Sequence, residues 1–254
     1  MIQAKLEITN LDIGYSDKVL IDGLTFNLES GSILGLIGFN GTGKSTFLKV
    51  LLRQIKPLNG SIKINDKDIF SYSWKEYSKL ISCLYQQLPI SSFLSVFDLV
   101  KLGRNPYQAI HSWHLSQLDK DLIEKSLEMT GLSNLKNKKI DRLSGGELQR
   151  AYLALSIVQN SHFLCLDEPS NNLDLKHKAQ LVSIIKNLAH NNTGIILVSH
   201  DLNLIKKLCD YVIIFNSSAE PSYVHGKTDD ILSLQNLEAL FNLEFKSLDE
   251  YFIR

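Results

Sequence analysis

The chain has 254 residues, 44% of them hydrophobic, and its 27 Lys and Arg balance its 27 Asp and Glu to a formal net charge of zero. That length supports a sizeable core, in one large domain or one domain carrying an inserted subdomain. The charge balance gives no global footprint for nucleic acid, so an acidic ligand needs a local site.

No apolar run reaches the roughly 18–20 residues of a membrane-spanning helix; the longest, ILGLIG and GIILVS, have strand length. The opening, MIQAKLEITNLDIGY, lacks a basic stretch followed by an apolar one, so a cytoplasmic protein without a secretory signal is expected. Three cysteines, Cys83, Cys165 and Cys209, form no CxxC pair and read as core or surface thiols.

In chain order, AKLEITNLDIGYS and KVLIDGLTFNLESG alternate apolar and polar residues with turns at Ser16-Asp17 and Ser30-Gly31, the pattern of a half-exposed antiparallel sheet. SILGLIG is continuously apolar, as a strand buried on both faces is, and it runs through a glycine loop into KSTFLKVLLRQI, which has helical spacing. From about Ser71 to Asp141 the texture turns helical and polar (SWKEYSKLIS, SVFDLVKLGRNPY, LSQLDKDLIEKSLEMTGL), predicting an inserted helical subdomain. Two more buried strands, HFLCLDEP and GIILVSHD, flank the helix KHKAQLVSIIKNLAH and return the fold to a parallel α/β core. The tail from Lys227 reads as one or two short helices. The predicted division is a core of residues 1–85 and 160–226, a helical subdomain of 86–159, and a tail of 227–254.

The stretch GFNGTGKST has Gly38, Gly43, Lys44 and Ser45 in phosphate-loop register, between a strand and a helix. Its backbone over Gly38, Asn40, Gly41, Thr42, Gly43, Lys44, Ser45 and Thr46 would surround nucleotide phosphates. Lys44 would neutralise the β- and γ-oxygens, and the Ser45 hydroxyl would ligate Mg2+. Such a nucleotide needs a carboxylate at the end of a neighbouring buried strand, and FLCLDEP supplies Asp167 for the Mg2+ shell and Glu168 to orient and polarise the attacking water. His200, after IILVS, would project from the same sheet edge and donate a hydrogen bond to the transferring phosphoryl group. The other six histidines, including His111 and His114, have no matching carboxylate or cysteine cluster and read as surface or loop residues.

A second anion-seeking stretch, LSGGELQR, has Ser144 to cap a helix beginning near Gly146, Glu147 in its first turn, and Gly145 and Gly146 to let a phosphate reach bare N–H groups. The chain holds one complete Mg-nucleotide site. The economical expectation is therefore that Ser144–Glu147 caps the γ-phosphate held by another copy, in a head-to-tail homodimer around two ATP molecules.

Together these residues resemble the ATP-binding-cassette ATPases over nearly the whole chain. The resemblance implies an α/β fold with a RecA-like P-loop core, an N-terminal antiparallel β subdomain and an inserted helical subdomain. It implies that Tyr15 stacks on adenine, that Gln86 in CLYQQL senses Mg2+ and the γ-phosphate, and that Asp174 in SNNLD forms a loop communicating across the dimer. KLGRNPY, EPSNNLDL and SHDLNL look like the ATPase subunits of importers for iron-siderophore complexes, haem, cobalamin and related metal compounds. Such subunits sit on the cytoplasmic face of the inner membrane and dock on polytopic permease subunits near Gln86–Tyr107, while a separate binding protein delivers the substrate.

Phe39 and Tyr85 stand where the family commonly has proline, and neither removes a phosphate ligand. FNSSAEPSYVHGKTDD lacks a compact turn, which leaves the last hairpin open. Two rivals share the cassette: a soluble ATP-driven switch without a permease, as in iron-sulfur assembly, and the ATPase of an exporter. A single cassette without a coiled-coil insertion or basic stripe weighs against the first; the absence of fused membrane helices and the import-like motifs weigh against the second.

Overall fold

The computed structural model describes residues 3–15, 18–84, 93–108, 115–171, 173–216 and 222–233. Strands β1 (Lys5–Tyr15) and β2 (Lys18–Glu29) pair antiparallel, and β4 (Asn59–Ile64) and β5 (Lys67–Asp68) extend the sheet in the order β2-β1-β4-β5. Their alternation buries one face: Leu6, Ile8, Ile62 and Ile64 are inside while Lys63 between the last two is exposed. The predicted Ser16-Asp17 turn lies outside the described residues.

The second sheet contains β3 (Ile33–Gly38), β6 (Ile81–Leu84), β7 (Phe163–Asp167), β8 (Gly194–Val198), β9 (Tyr211–Phe215) and β10 (Tyr223–Lys227), in the order β10-β9-β3-β8-β7-β6. Neighbours from β9 to β6 run parallel; β10 closes the edge as an antiparallel hairpin with β9. The open question of the last hairpin is thus answered by cross-strand pairing from Tyr223↔Phe215 to Lys227↔Tyr211.

Continuously apolar strands need cover on both faces, and this sheet has it. Leu34, Leu36, Cys165 and Ile196 face a core shared with the antiparallel sheet and α1 (Lys44–Leu51), around the aromatic pair Phe47 and Phe215. Ile33, Ile37, Leu164, Leu166 and Ile195 face the opposite core, built with α5 (Gly145–Val158), α6 (Leu175–His190) and α7 (Leu202–Leu208).

The helical stretch holds α2 (Trp74–Leu80), α3 (Val96–Lys101) and α4 (Gln117–Met129) before α5. One segment read as helical is not: Ile81–Leu84 is β6, paired with Phe163–Leu166. Four residues are too few to show a period of their own beside a seven-residue helix. Serine starts four helices with a reciprocal partner three residues on: Ser73 with Glu76, Ser95 with Asp98, Ser116 with Asp119 and Ser144 with Glu147. Asp119 also accepts from the buried Arg104 Nε at 2.7 Å, while Arg104 Nη1 donates to the Val158 carbonyl and its guanidinium lies 3.8 Å from the Tyr107 ring centre. Removing one partner of such a buried pair costs about 3–5 kcal/mol, so α4 is pinned to the end of α5. Of the predicted tail helices, α8 (Thr228–Ile231) is present, and residues 234–254 lie outside the described part.

Candidate functional site

Strand order brings the site together. The loop after β3, the acidic pair ending β7 and the histidine after β8 all leave the carboxyl edge, and β8 lies between β3 and β7. There they wall a cavity of about 480 Å3 lined by Tyr15, Lys18, Leu20, Asn40, Gly41, Gly43, Lys44, Ser45, Thr46, Asp167, Glu168, Val198 and His200. Crevices outside strand carboxyl ends are where open α/β sheets bind ligands.

The phosphate-loop backbone takes a shape few residues permit. Gly38, Gly41 and Gly43 have φ of 152°, 83° and 108°. A Cβ on Gly38 would lie 2.6 Å from both the Phe215 carbonyl and Thr42 Oγ1, whereas one on Gly41 would meet nothing within 4 Å. Lys44 is buried, and its ammonium donates to the Gly38 carbonyl at 2.6 Å and the Phe39 carbonyl at 2.9 Å, closing the loop across its own start. No side chain caps α1, so its first turn offers backbone donors to an anion. Burial lowers the Lys44 pKa, opposed by Glu168 and Asp167.

Glu168 sits in the left-handed region at φ 48°, a strained position for a non-glycine residue, with its N–H donating to the Val198 carbonyl at 3.0 Å. That bond ties the residue to the end of β8 and turns its carboxylate back into the cavity wall. Glu168 Oε1 is 3.3 Å from His200 Nε2, within ion-pair reach of a protonated imidazole, yet it is buried without an aligned hydrogen-bond donor. An orphaned buried carboxylate oxygen beside an anion-binding loop is suited to receive a water molecule's hydrogen. Burial raises the pKa of Glu168, opposed chiefly by His200, and likewise that of Asp167, opposed by Lys44 and His200. Ser45 and Asp167 share the cavity, and a hydroxyl with a carboxylate fits Mg2+, which takes few protein oxygens and completes its shell with phosphate and water.

Other expected residues lie elsewhere. Gly38 and Thr42 shape the loop but do not line the cavity, and neither do Ser144, Gly145, Gly146 or Glu147. Ser144 caps α5, which begins at Gly145. Asp174 caps α6, accepting from the His177 N–H at 2.8 Å and holding His177 Nδ1 at 2.8 Å. His177 therefore has the carboxylate partner that the sequence reading denied it; the i, i+3 spacing across a helix start was the available signal. Gln86, His111 and His114 fall outside the described residues. Sequence reasoning missed Lys18 and Leu20, which follow Tyr15 into the wall, and Val198, the last residue of β8.

A RecA-like sheet with a phosphate loop, a strand-end acidic pair and an orphaned carboxylate oxygen defines a nucleoside-triphosphate-hydrolysing P-loop protein. Comparison with known proteins narrows this: the family model described as ABC transporter matches residues 21–171. The chain belongs to the ATP-binding-cassette family, whose members are ATP-hydrolysing transport ATPases. It is 34% identical over 245 residues to the achromobactin transport ATP-binding protein CbrD of Dickeya dadantii, covering 95% of this chain and 89% of that one. It is also 34% identical over 231 residues to the iron(3+)-hydroxamate import ATP-binding protein FhuC of Bacillus subtilis, covering 89% and 86%. A solved ABC transporter assigned to the metal-chelate type, in an inward-facing conformation, superposes with a TM-score of 0.81 at 28% identity over 96% of this chain and 90% of that one. Among the described residues no helix is long and apolar enough to cross a membrane.

Proposed function

We propose that this chain is the ATP-hydrolysing subunit of an importer for a metal chelate of the siderophore class, working as a pair of copies on a separate membrane permease. Its place would be peripheral, on the cytoplasmic face of the inner membrane, with a substrate-binding protein delivering the chelate outside. The names of its relatives support the substrate class. The observation that carries the mechanism is a contrast: one cavity gathers Lys44, Asp167, Glu168 and His200, while the second anion-seeking segment, Ser144–Glu147, lies outside its walls.

Each ATP would lie between one copy's phosphate loop and the other copy's Ser144–Glu147. Tyr15 would stack on the base. The Lys44 ammonium would exchange its two carbonyl partners for β- and γ-oxygens. Glu168 Oε1 would accept a hydrogen from the attacking water and aim it in line with the γ-phosphorus, and His200 would donate to a γ-oxygen as charge builds. Mg2+, held by Ser45 and Asp167 with Gln86 nearby, would supply Lewis-acid neutralisation of the phosphates when bound. The chemistry is positioning and electrostatics. Residues 86–159 would carry the second segment to the partner, with Asp174 at the dimer seam, and closure of the pair would reorient the permease. No part of this reading involves nucleic acid.

ATPase activity against protein concentration tests it, using Ser144→Arg and Glu168→Gln alone and mixed. Activity that rises with concentration and is abolished by Ser144→Arg supports site completion by a second copy. Concentration-independent activity indifferent to Ser144→Arg would overturn it. Glu168→Gln is expected to bind ATP and accumulate closed dimers; normal hydrolysis by this variant would remove Glu168 from its role.

A further inference from the structure

The start of α5 is already occupied by the protein itself. The Ser144 N–H donates to Glu147 Oε2 at 2.8 Å, and the Glu147 N–H donates to Ser144 Oγ at 3.3 Å. What remains for an incoming anion are the Gly145 and Gly146 N–H groups at the first two positions of the helix. The approach is open, since a Cβ on Gly145 would have no neighbour within 4 Å. This arrangement sets a full negative charge at the lip of a site that must receive a triphosphate. Left alone, that carboxylate would repel the ligand its helix attracts.

It is not left alone. Lys138 Nζ donates to the same Glu147 Oε2 at 3.0 Å, with both side chains partly buried. The root of that lysine is fixed: its N–H donates to the Leu135 carbonyl at 2.8 Å, and its own carbonyl accepts from Val96 N–H at 3.0 Å. The ammonium is thus held over the carboxylate by a backbone anchored at the start of α3.

We propose that Lys138 is a positioning residue for ATP in the two-copy site: by neutralising Glu147 and holding it in the cap, it makes the start of α5 receptive to the partner's γ-phosphate. This rests on the reading that Ser144–Glu147 works in trans. Lys138 touches no phosphate itself. It acts through Glu147, so its effect appears as affinity for the triphosphate, and a charge change on Glu147 compensates for its loss.

The experiment is a double-mutant cycle on the full chain with Lys138→Met, Glu147→Gln and both together, reading KM and kcat for ATP and affinity for ADP. Lys138→Met is expected to raise the ATP KM about tenfold with a smaller change in kcat, because lost ground-state affinity appears in KM. ADP affinity should stay at the wild-type value, since ADP presents no γ-phosphate to the second copy. Glu147→Gln alone should lower KM, leaving an unpaired lysine beside the phosphate, and the double variant should return KM to within about twofold of wild type.

Added salt should narrow the gap between Lys138→Met and wild type, the pair being partly exposed. If Lys138→Met folds poorly, Lys138→Arg, expected to keep the wild-type KM, and Glu147→Gln alone still decide. An unchanged KM in Lys138→Met, a double variant as impaired as the single, or an unchanged or raised KM in Glu147→Gln would overturn the inference. Ser144→Arg separates the two failures. If it leaves activity untouched, the trans reading falls and this inference with it; if it abolishes activity while Lys138→Met keeps its KM, only the role of Lys138 falls.

Discussion

The chain has two glycine-rich segments that each open a helix toward an anion, and they are built differently. At Gly38–Thr46 the backbone takes left-handed turns, no side chain caps the helix, and a buried lysine bridges two carbonyls of its own loop. At Ser144–Glu147 the glycines have no strained φ, and a serine and a glutamate satisfy each other across the first turn. The first is a cradle whose shape is specified by the fold and whose donors wait for phosphate. The second is a sound helix start that folds without a ligand and offers only part of its donor set. A segment that must hold a nucleotide alone is preorganised; one that only completes another copy's site is self-capped until that copy arrives.

Substitutions in the two segments should therefore fail in different ways. Lys44→Ala has the largest expected effect, a fall in turnover of about 10²–10³-fold with weakened nucleotide binding, since it removes the charge that meets the phosphates. Phosphate release and nucleotide titration would measure it. Gly38→Ala should instead destabilise the fold by about 2–3 kcal/mol, because its Cβ collides with the Phe215 carbonyl and Thr42 Oγ1; denaturant unfolding reads this directly.

Glu168→Gln gives a smaller effect of opposite sign on stability. Burial holds this carboxyl above its ordinary pKa, so the folded state binds more protons than the unfolded one between the two values. Its charge then weakens the fold above the raised value, a penalty that shrinks as pH falls below that value and is gone once pH reaches the ordinary carboxylate range. The variant should melt higher than wild type near pH 7, and the gap should close on acidification; a gap independent of pH would refute the assignment to charge burial. Gly145→Ala should change stability least, by no more than about 1 kcal/mol and in the favourable direction, because alanine suits a helix and the space is open. Its activity should still fall where a second copy is needed, since the methyl group stands in the phosphate's path.

This contrast was only half legible in the sequence. The phosphate loop, Asp167, Glu168 and His200 could be read because each follows a continuously apolar strand, and burial on both faces leaves a plain signature. Strand β6 was hidden in helical texture because four residues cannot establish a period. Lys18 and Leu20 gave no signal as cavity walls; their alternation serves β2, and only the placement of one sheet over the other brings them to the nucleotide. The Ser144 cap was legible in the sequence; the reciprocal bond from the Ser144 N–H to Glu147, which the same Ser-Gly-Gly-Glu spacing implies, was not read from it. The approach of Lys138, nine residues from Glu147 across two short turns, required coordinates.

The last hairpin also reaches back to the first. Ser222 Oγ accepts from the Asp22 N–H at 2.9 Å, and the Tyr223 hydroxyl accepts from the Thr25 N–H and donates to the Gly23 carbonyl. These bonds cover the outer edge of β2 with residues some 200 positions later in the chain. On a ribosome adding about 5–20 residues per second, that edge stays open for roughly 10–40 s before its cover exists. An unpaired strand edge is a template for foreign strands. The nascent chain thus keeps one edge of the sheet that carries Tyr15 open to mispairing for that interval, and a cell lacking chaperones that shield such edges should lose more of this protein to aggregates made during synthesis.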